Sequence, residues 1–191
     1  MAPLVHSPAD LDGQEIVRWT GTEMALGGGI SIVSEDTPED RNWLETPVVW
    51  ASDVIPFAQF TRIDVQLANG SAYRLLSQHK DGSGFHGLYL LRVAEIEVPE
   101  EPRPGCIYRS RELTELPVGQ TRVSILRRAE SNSIIEFELS IGTETIRMLS
   151  GEVYEREEGL FEVVESDESV LVQLNGERPN PSFNGTPGGA R

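Results

Sequence analysis

Two stretches of this chain repeat one another at a spacing of about 72 residues, which restricts the fold to an architecture that can use one supersecondary unit twice. Val65-Gln66-Leu67 with Gly70 recurs as Phe137-Glu138-Leu139 with Gly142. Arg74-Leu75-Leu76-Ser77 recurs as Arg147-Met148-Leu149-Ser150, and Gly87-Leu88-Tyr89 as Gly159-Leu160-Phe161. Inside the first copy the period is two: Ile63, Val65 and Leu67 fall on one face, Asp64 and Gln66 on the other. Asn69-Gly70 is then expected to supply the two residues with positive φ that a tight hairpin needs, and Tyr73 and Leu75 resume the alternation on a returning strand. The second copy runs from Ile135 to Ile141, turns near Gly142-Thr143 and returns through Ile146 to Leu149.

Each hairpin is expected to lead into a third strand, 88–98 in one copy and 160–165 in the other, with a last strand at 169–174. Strands are also expected at 15–19, 30–33 and 48–50, and turns or loop at Gly27-Gly28-Gly29 and 37–40. Helical signal is confined to Ser110–Leu116, with Ser110 as its cap, and to a turn at Pro8–Leu11. The fold these elements predict is mainly antiparallel β with little helix, as two related sheet units packed as a sandwich or as partial barrels. The expected organisation is a first unit with an N-terminal extension over 1–98, a proline-rich joint at 99–105, a second unit over 106–176 and a loose tail over 177–191.

Charge narrows the function. Against 16 basic residues stand 31 acidic ones, a formal charge of -15, and that field repels nucleic acid and anionic membrane surfaces. No apolar run reaches the roughly 20 residues of a spanning helix. Residues 1–12 lack the basic start and apolar stretch of a secretory signal. Cys106 stands alone, so no internal disulfide forms and a reducing cytoplasm is the expected compartment. Lys80 is the single lysine among 16 basic residues, a usage that points to a GC-rich bacterial genome.

Candidate chemistry is sparse. His79 and His86 flank the glycine-rich segment 80–85 and read as exposed loop histidines, too few to complete a metal site. The triple glycine lacks the Lys-Ser/Thr of a phosphate cradle. Cys106 has neighbouring arginines but no nearby histidine, and Asp167 and Glu168, as strand neighbours, point to opposite faces. Trp19, Trp43 and Trp50 suit core packing better than a sugar or peptide cleft. The expectation is a non-enzyme with neither cofactor nor metal.

The strongest functional signal is the placement of charge. Glu152, Glu155, Glu157, Glu158, Glu162, Glu165, Asp167 and Glu168 crowd one segment with Arg156 as the single opposing charge, whereas 103–128 holds six arginines against two glutamates. These eight acids are the candidate partner-binding residues, and the partner they imply is a basic protein. Gly151-Glu152-Val153-Tyr154 through Asp167-Glu168-Ser169-Val170-Leu171-Val172 resembles small acidic bacterial proteins encoded beside secreted toxins, a likeness that transfers no residue role. The expected function is that of an immunity or inhibitor protein neutralising a basic toxin or effector. An adaptor subunit of a larger assembly, and a hydrolase or carbohydrate-binding module, are the alternatives.

Overall fold

Alternating apolar and polar residues carry most of the described chain into strands. The structure, a computed structural model, describes residues 5–32, 43–79, 86–100, 105–129, 132–157 and 160–175. In chain order the strands are β1 (Val5–His6), β2 (Glu15–Met24), β3 (Gly27–Ile32), β4 (Trp43–Val49), β5 (Ala58–Leu67), β6 (Ala72–His79), β7 (His86–Val93), β8 (Tyr108–Glu112), β9 (Gly119–Arg128), β10 (Ile134–Ile141), β11 (Glu144–Glu157) and β12 (Leu160–Leu174). Among the described residues a single 3-10 turn, Pro8–Leu11, is capped by Ser7, whose hydroxyl accepts from the Ala9 N–H, and Asp10 reaches back to accept from the Ser7 N–H.

Ten of these strands form one antiparallel sheet in the order β1-β7-β6-β5-β12-β11-β10-β9-β2-β8, and β2 also pairs with β5. That extra pairing closes β5, β12, β11, β10, β9 and β2 into a ring, with β6, β7 and β1 continuing from β5 and β8 attached to β2. A closed ring buries the edges that an open sheet leaves unpaired. The expected antiparallel β fold is therefore present, as one ring to which both halves of the chain contribute strands. Both repeated blocks lie in β-meanders, β5-β6-β7 and β10-β11-β12, but their registers differ: Val65 faces Tyr73, whereas Phe137 faces Met148. The repeat is thus not upheld at the level of strand pairing.

Three local expectations change. Ser110–Leu116 is not helical: 108–112 is a strand, because β2 offers a ladder from Thr20 to Met24 that a short polar helix could not match. The triple glycine lies in β3 rather than in a turn. Gly28 has φ +76 and a Cβ there would sit 2.0 Å from the Pro47 carbonyl oxygen, so close backbone approach to β4 requires glycine. Residues 160–165 and 169–174 form a single strand, β12, interrupted by a bulge. Of the expected joint, 101–104 lies outside the described residues, as does the whole expected tail, 177–191.

One face of the sheet wraps the main core. Ile63 and Val65 from β5, Leu75 from β6, Leu88 and Leu90 from β7, Phe137 and Leu139 from β10, Ile146 and Met148 from β11 and Val170 from β12 meet there, all nearly inaccessible. Full burial of each such side chain contributes about 1.5–3 kcal/mol. Outside the ring a second cluster joins Leu149, Val153 and Leu171 to Leu26, Ile55 and Phe57, holding the β3–β4 hairpin and the 50–57 segment against the long β11–β12 hairpin. Three buried carboxylates are each met by arginine: Asp64 by Arg74 at 2.7 and 2.8 Å, Glu23 by Arg109 and Arg111 at 2.7 and 2.6 Å, and Glu136 by Arg127 and Arg147.

Candidate functional site

Strand parity leads from the core to a polar cluster. Residues two apart share a face, so the core row Ile146-Met148 of β11 continues as Ser150, Glu152 and Tyr154. On β6 the row through Leu75 continues as Ser77 and His79, and on β7 the row Leu90-Leu88 ends at His86. At this end of the core, apolar side chains give way to hydroxyls, imidazoles and carboxylates.

The bulge in β12 ties these rows together. Ser150 pairs with Val170 and Gly151 with Glu165, so 166–169 has no counterpart on β11. Ser166 adopts φ 58, a left-handed conformation uncommon for serine. The Asp167 carbonyl accepts from the hydroxyls of Ser77 and Ser150, which lie 2.7 Å apart, and the Ser166 carbonyl lies 3.2 Å from Nδ1 of His86. Tyr154 donates its hydroxyl to Asp167 Oδ2 at 3.0 Å, and Asp167 Oδ1 accepts from the Glu168 N–H at 2.8 Å. Gly151 lets the hairpin bend beside the bulge, since a Cβ there would lie 2.8 Å from the Val164 carbonyl oxygen.

The eight acidic residues do not form one face. Glu155 accepts from the Gly28 N–H at 3.1 Å, and Glu165 pairs with Arg127 at 2.7 Å. Glu162 pairs with Arg156 at 2.6 Å. Glu157 pairs with Leu160 through the backbone, and Glu158 lies outside the described residues. Glu152, Asp167 and Glu168 remain together at the bulge, where no described arginine or lysine meets them. The opposing basic segment is also partly committed, because Arg109, Arg111 and Arg127 are held by Glu23 and Glu136.

The electrostatics of the bulge follow from this crowding. Burial, then the charges of Asp167 and Glu168, raise the Glu152 carboxyl above the usual carboxylate range, against the hydrogen bond from Ser169. Desolvation and the Asp167 contact push the Tyr154 phenol up to about 12. The folded protein therefore holds the Glu152 proton more tightly than the unfolded chain does, so ionisation costs stability as pH rises through that raised range. Glu152→Gln is expected to raise the melting temperature at neutral pH, and the gain should vanish in acid, where the wild-type carboxyl is protonated. Thermal unfolding across pH measures both.

The remaining candidates fall elsewhere. Trp19 is buried and donates its indole N–H to the Pro117 carbonyl at 2.9 Å, while Trp50 lies under the Arg109 guanidinium at 4.1 Å. Cys106 is half-buried and free. The histidines are not loop residues: His79 and His86 face each other as the last pair of the β6–β7 ladder, and His86 is only 8% exposed. Sequence reading missed the bulge as an organising element and the two serines beneath it. Among the described residues no group of three or more His, Cys, Asp or Glu side chains is arranged to hold a metal ion, and no helix is long and apolar enough to cross a membrane. Comparison with protein-family models, with curated proteins and with solved structures returns no match to this chain.

Proposed function

We propose that this protein is a non-enzymatic binding module for a basic protein, most concretely a bacterial cytoplasmic immunity or inhibitor protein that occludes a basic toxin or effector. One contrast supports this reading. Asp64, Glu23 and Glu136 each have arginine partners inside the fold, whereas Glu152, Asp167 and Glu168 are crowded together with none among the described residues. Such a cluster repels itself in the free protein, and an incoming lysine or arginine relieves that repulsion. The long-range field then acts mainly on the association rate.

Proteins captured on the immobilised chain and measured by stopped-flow association supply the test. The expected partner is basic, its association rate falls steeply as salt shortens the Debye length below about 8 Å, and Glu168→Lys slows it about tenfold or more. Glu168 is exposed, so that reversal leaves the core intact. An acidic partner, or a rate indifferent to salt and to Glu168→Lys, overturns the reading.

A further inference from the structure

We propose that His79 and His86 form a two-imidazole site for a divalent transition-metal ion of the copper, nickel or zinc class. The β6–β7 register places the two residues directly opposite one another, and their rings lie 3.6 Å apart between centroids with an interplanar angle of 46°. The two imidazoles thus share one end of one ladder and one face, which chelation by two strands requires.

The contact beneath the pair is the second, independent observation. Nδ1 of His86 lies 3.2 Å from the Ser166 carbonyl oxygen, which can only accept, so the neutral ring carries its proton on Nδ1 and presents Nε2 as a bare lone pair. A metal-binding imidazole is oriented in this way, with its other nitrogen donating to a carbonyl or carboxylate. The support is built in: Ser77 and Ser150 hold the next carbonyl, that of Asp167, which fixes the bulge carrying Ser166. His79 is exposed, so solvent cations reach the pair. Glu152, Asp167 and Glu168, with Tyr154, are the described titratable groups on β11 and the β12 bulge at this end of the core, and their carboxylates favour an arriving cation. Two imidazoles leave the other coordination positions to water, and by ligand preference Cu2+ binds most tightly, while Mg2+ and Ca2+, which want oxygen, bind least.

Titrating the full chain with CuCl2 at neutral pH, with NiCl2 in parallel and MgCl2 as control, tests the site by isothermal calorimetry and by electron paramagnetic resonance of the copper form. One equivalent of Cu2+ with a two-nitrogen signature is expected, and affinity should fall in acid, where protons compete with the metal for the imidazole nitrogens. Loss of a supporting group around a metal costs about 10–100-fold, so removal of a ligand by His79→Gln or His86→Gln should weaken binding by at least about tenfold. His79 is exposed, so His79→Gln keeps the test valid should the buried variant unfold; circular dichroism checks both. Absence of stoichiometric Cu2+ binding overturns the proposal. So does binding that survives His79→Gln, or that is lost in His6→Ala or in Glu168→Gln instead.

Discussion

Arg147→Met is expected to lower unfolding stability by about 3–5 kcal/mol, because it removes a guanidinium group that meets a carboxylate with no solvent exposure. Glu136 is 0% exposed, and Arg147 approaches it from β11 while Arg127 approaches from β9, so three neighbouring strands converge on one buried charge. Arg127 is shared with Glu165 and cannot fully replace the lost partner. At this chain length each kcal/mol shifts the melting temperature by about 2–4 °C, so the loss is readily seen in thermal unfolding. The double variant Arg147→Met with Glu136→Leu should recover much of the stability, since an apolar pair of similar volume carries no desolvation cost. A single-variant loss below about 1 kcal/mol, the range of exposed ion pairs, would show that the charge is solvated.

Phe137→Ala should cost a similar amount, about 3–5 kcal/mol, by a different route. Phe137 is 0% exposed and faces Met148 across β10–β11 and Ile125 across β9–β10, so truncation leaves a void lined by strands whose backbones are locked in the ring. Chemical denaturation gives the measurement, and an unchanged slope with a shifted midpoint would confirm that only the folded state has lost packing. A cost under about 1 kcal/mol would mean that the ring collapses around the missing ring.

How far the sequence foretells this structure depends on whether the deciding interaction is local. The β5–β6 hairpin is legible because Ile63, Val65 and Leu67 alternate and Asn69-Gly70 marks the turn, although only Gly70 of that pair takes positive φ and the turn closes from the Gly70 N–H to the Leu67 carbonyl. The β8 strand is illegible, since its ladder partner β2 lies far away in sequence and Arg109 and Arg111 are recruited by Glu23. Strand β9 has no counterpart among the expected elements although Thr121, Val123 and Ile125 alternate. Ring closure through β2, β5 and β12 leaves no local trace at all.

The candidate site divides in the same way. The acidic run is plain in the sequence, yet its separation into Glu155, Glu162 and Glu165 with partners, and Glu152, Asp167 and Glu168 without arginine, depends on the bulge at 166–169. Nothing marks that bulge beforehand, because the residue in the left-handed conformation is Ser166 and not glycine. The histidine pair was hidden by the glycine-rich segment between its members, which suggests a loop and not the end of a ladder.

Strand β5 gives one edge to β2 and divides the other, with Ala58–Phe60 taken by β12 and Ile63–Gln66 by β6. On a ribosome the partners β2 and β6 emerge near β5 in time, but β12 comes only after every other strand of the ring has been made. Until then three residues of β5 and the apolar face behind them wait uncovered, a template for any stray strand. The rate at which the last meander arrives, and the chaperones that shield the gap in the interval, therefore bear on the yield of this protein as much as the strength of its finished core.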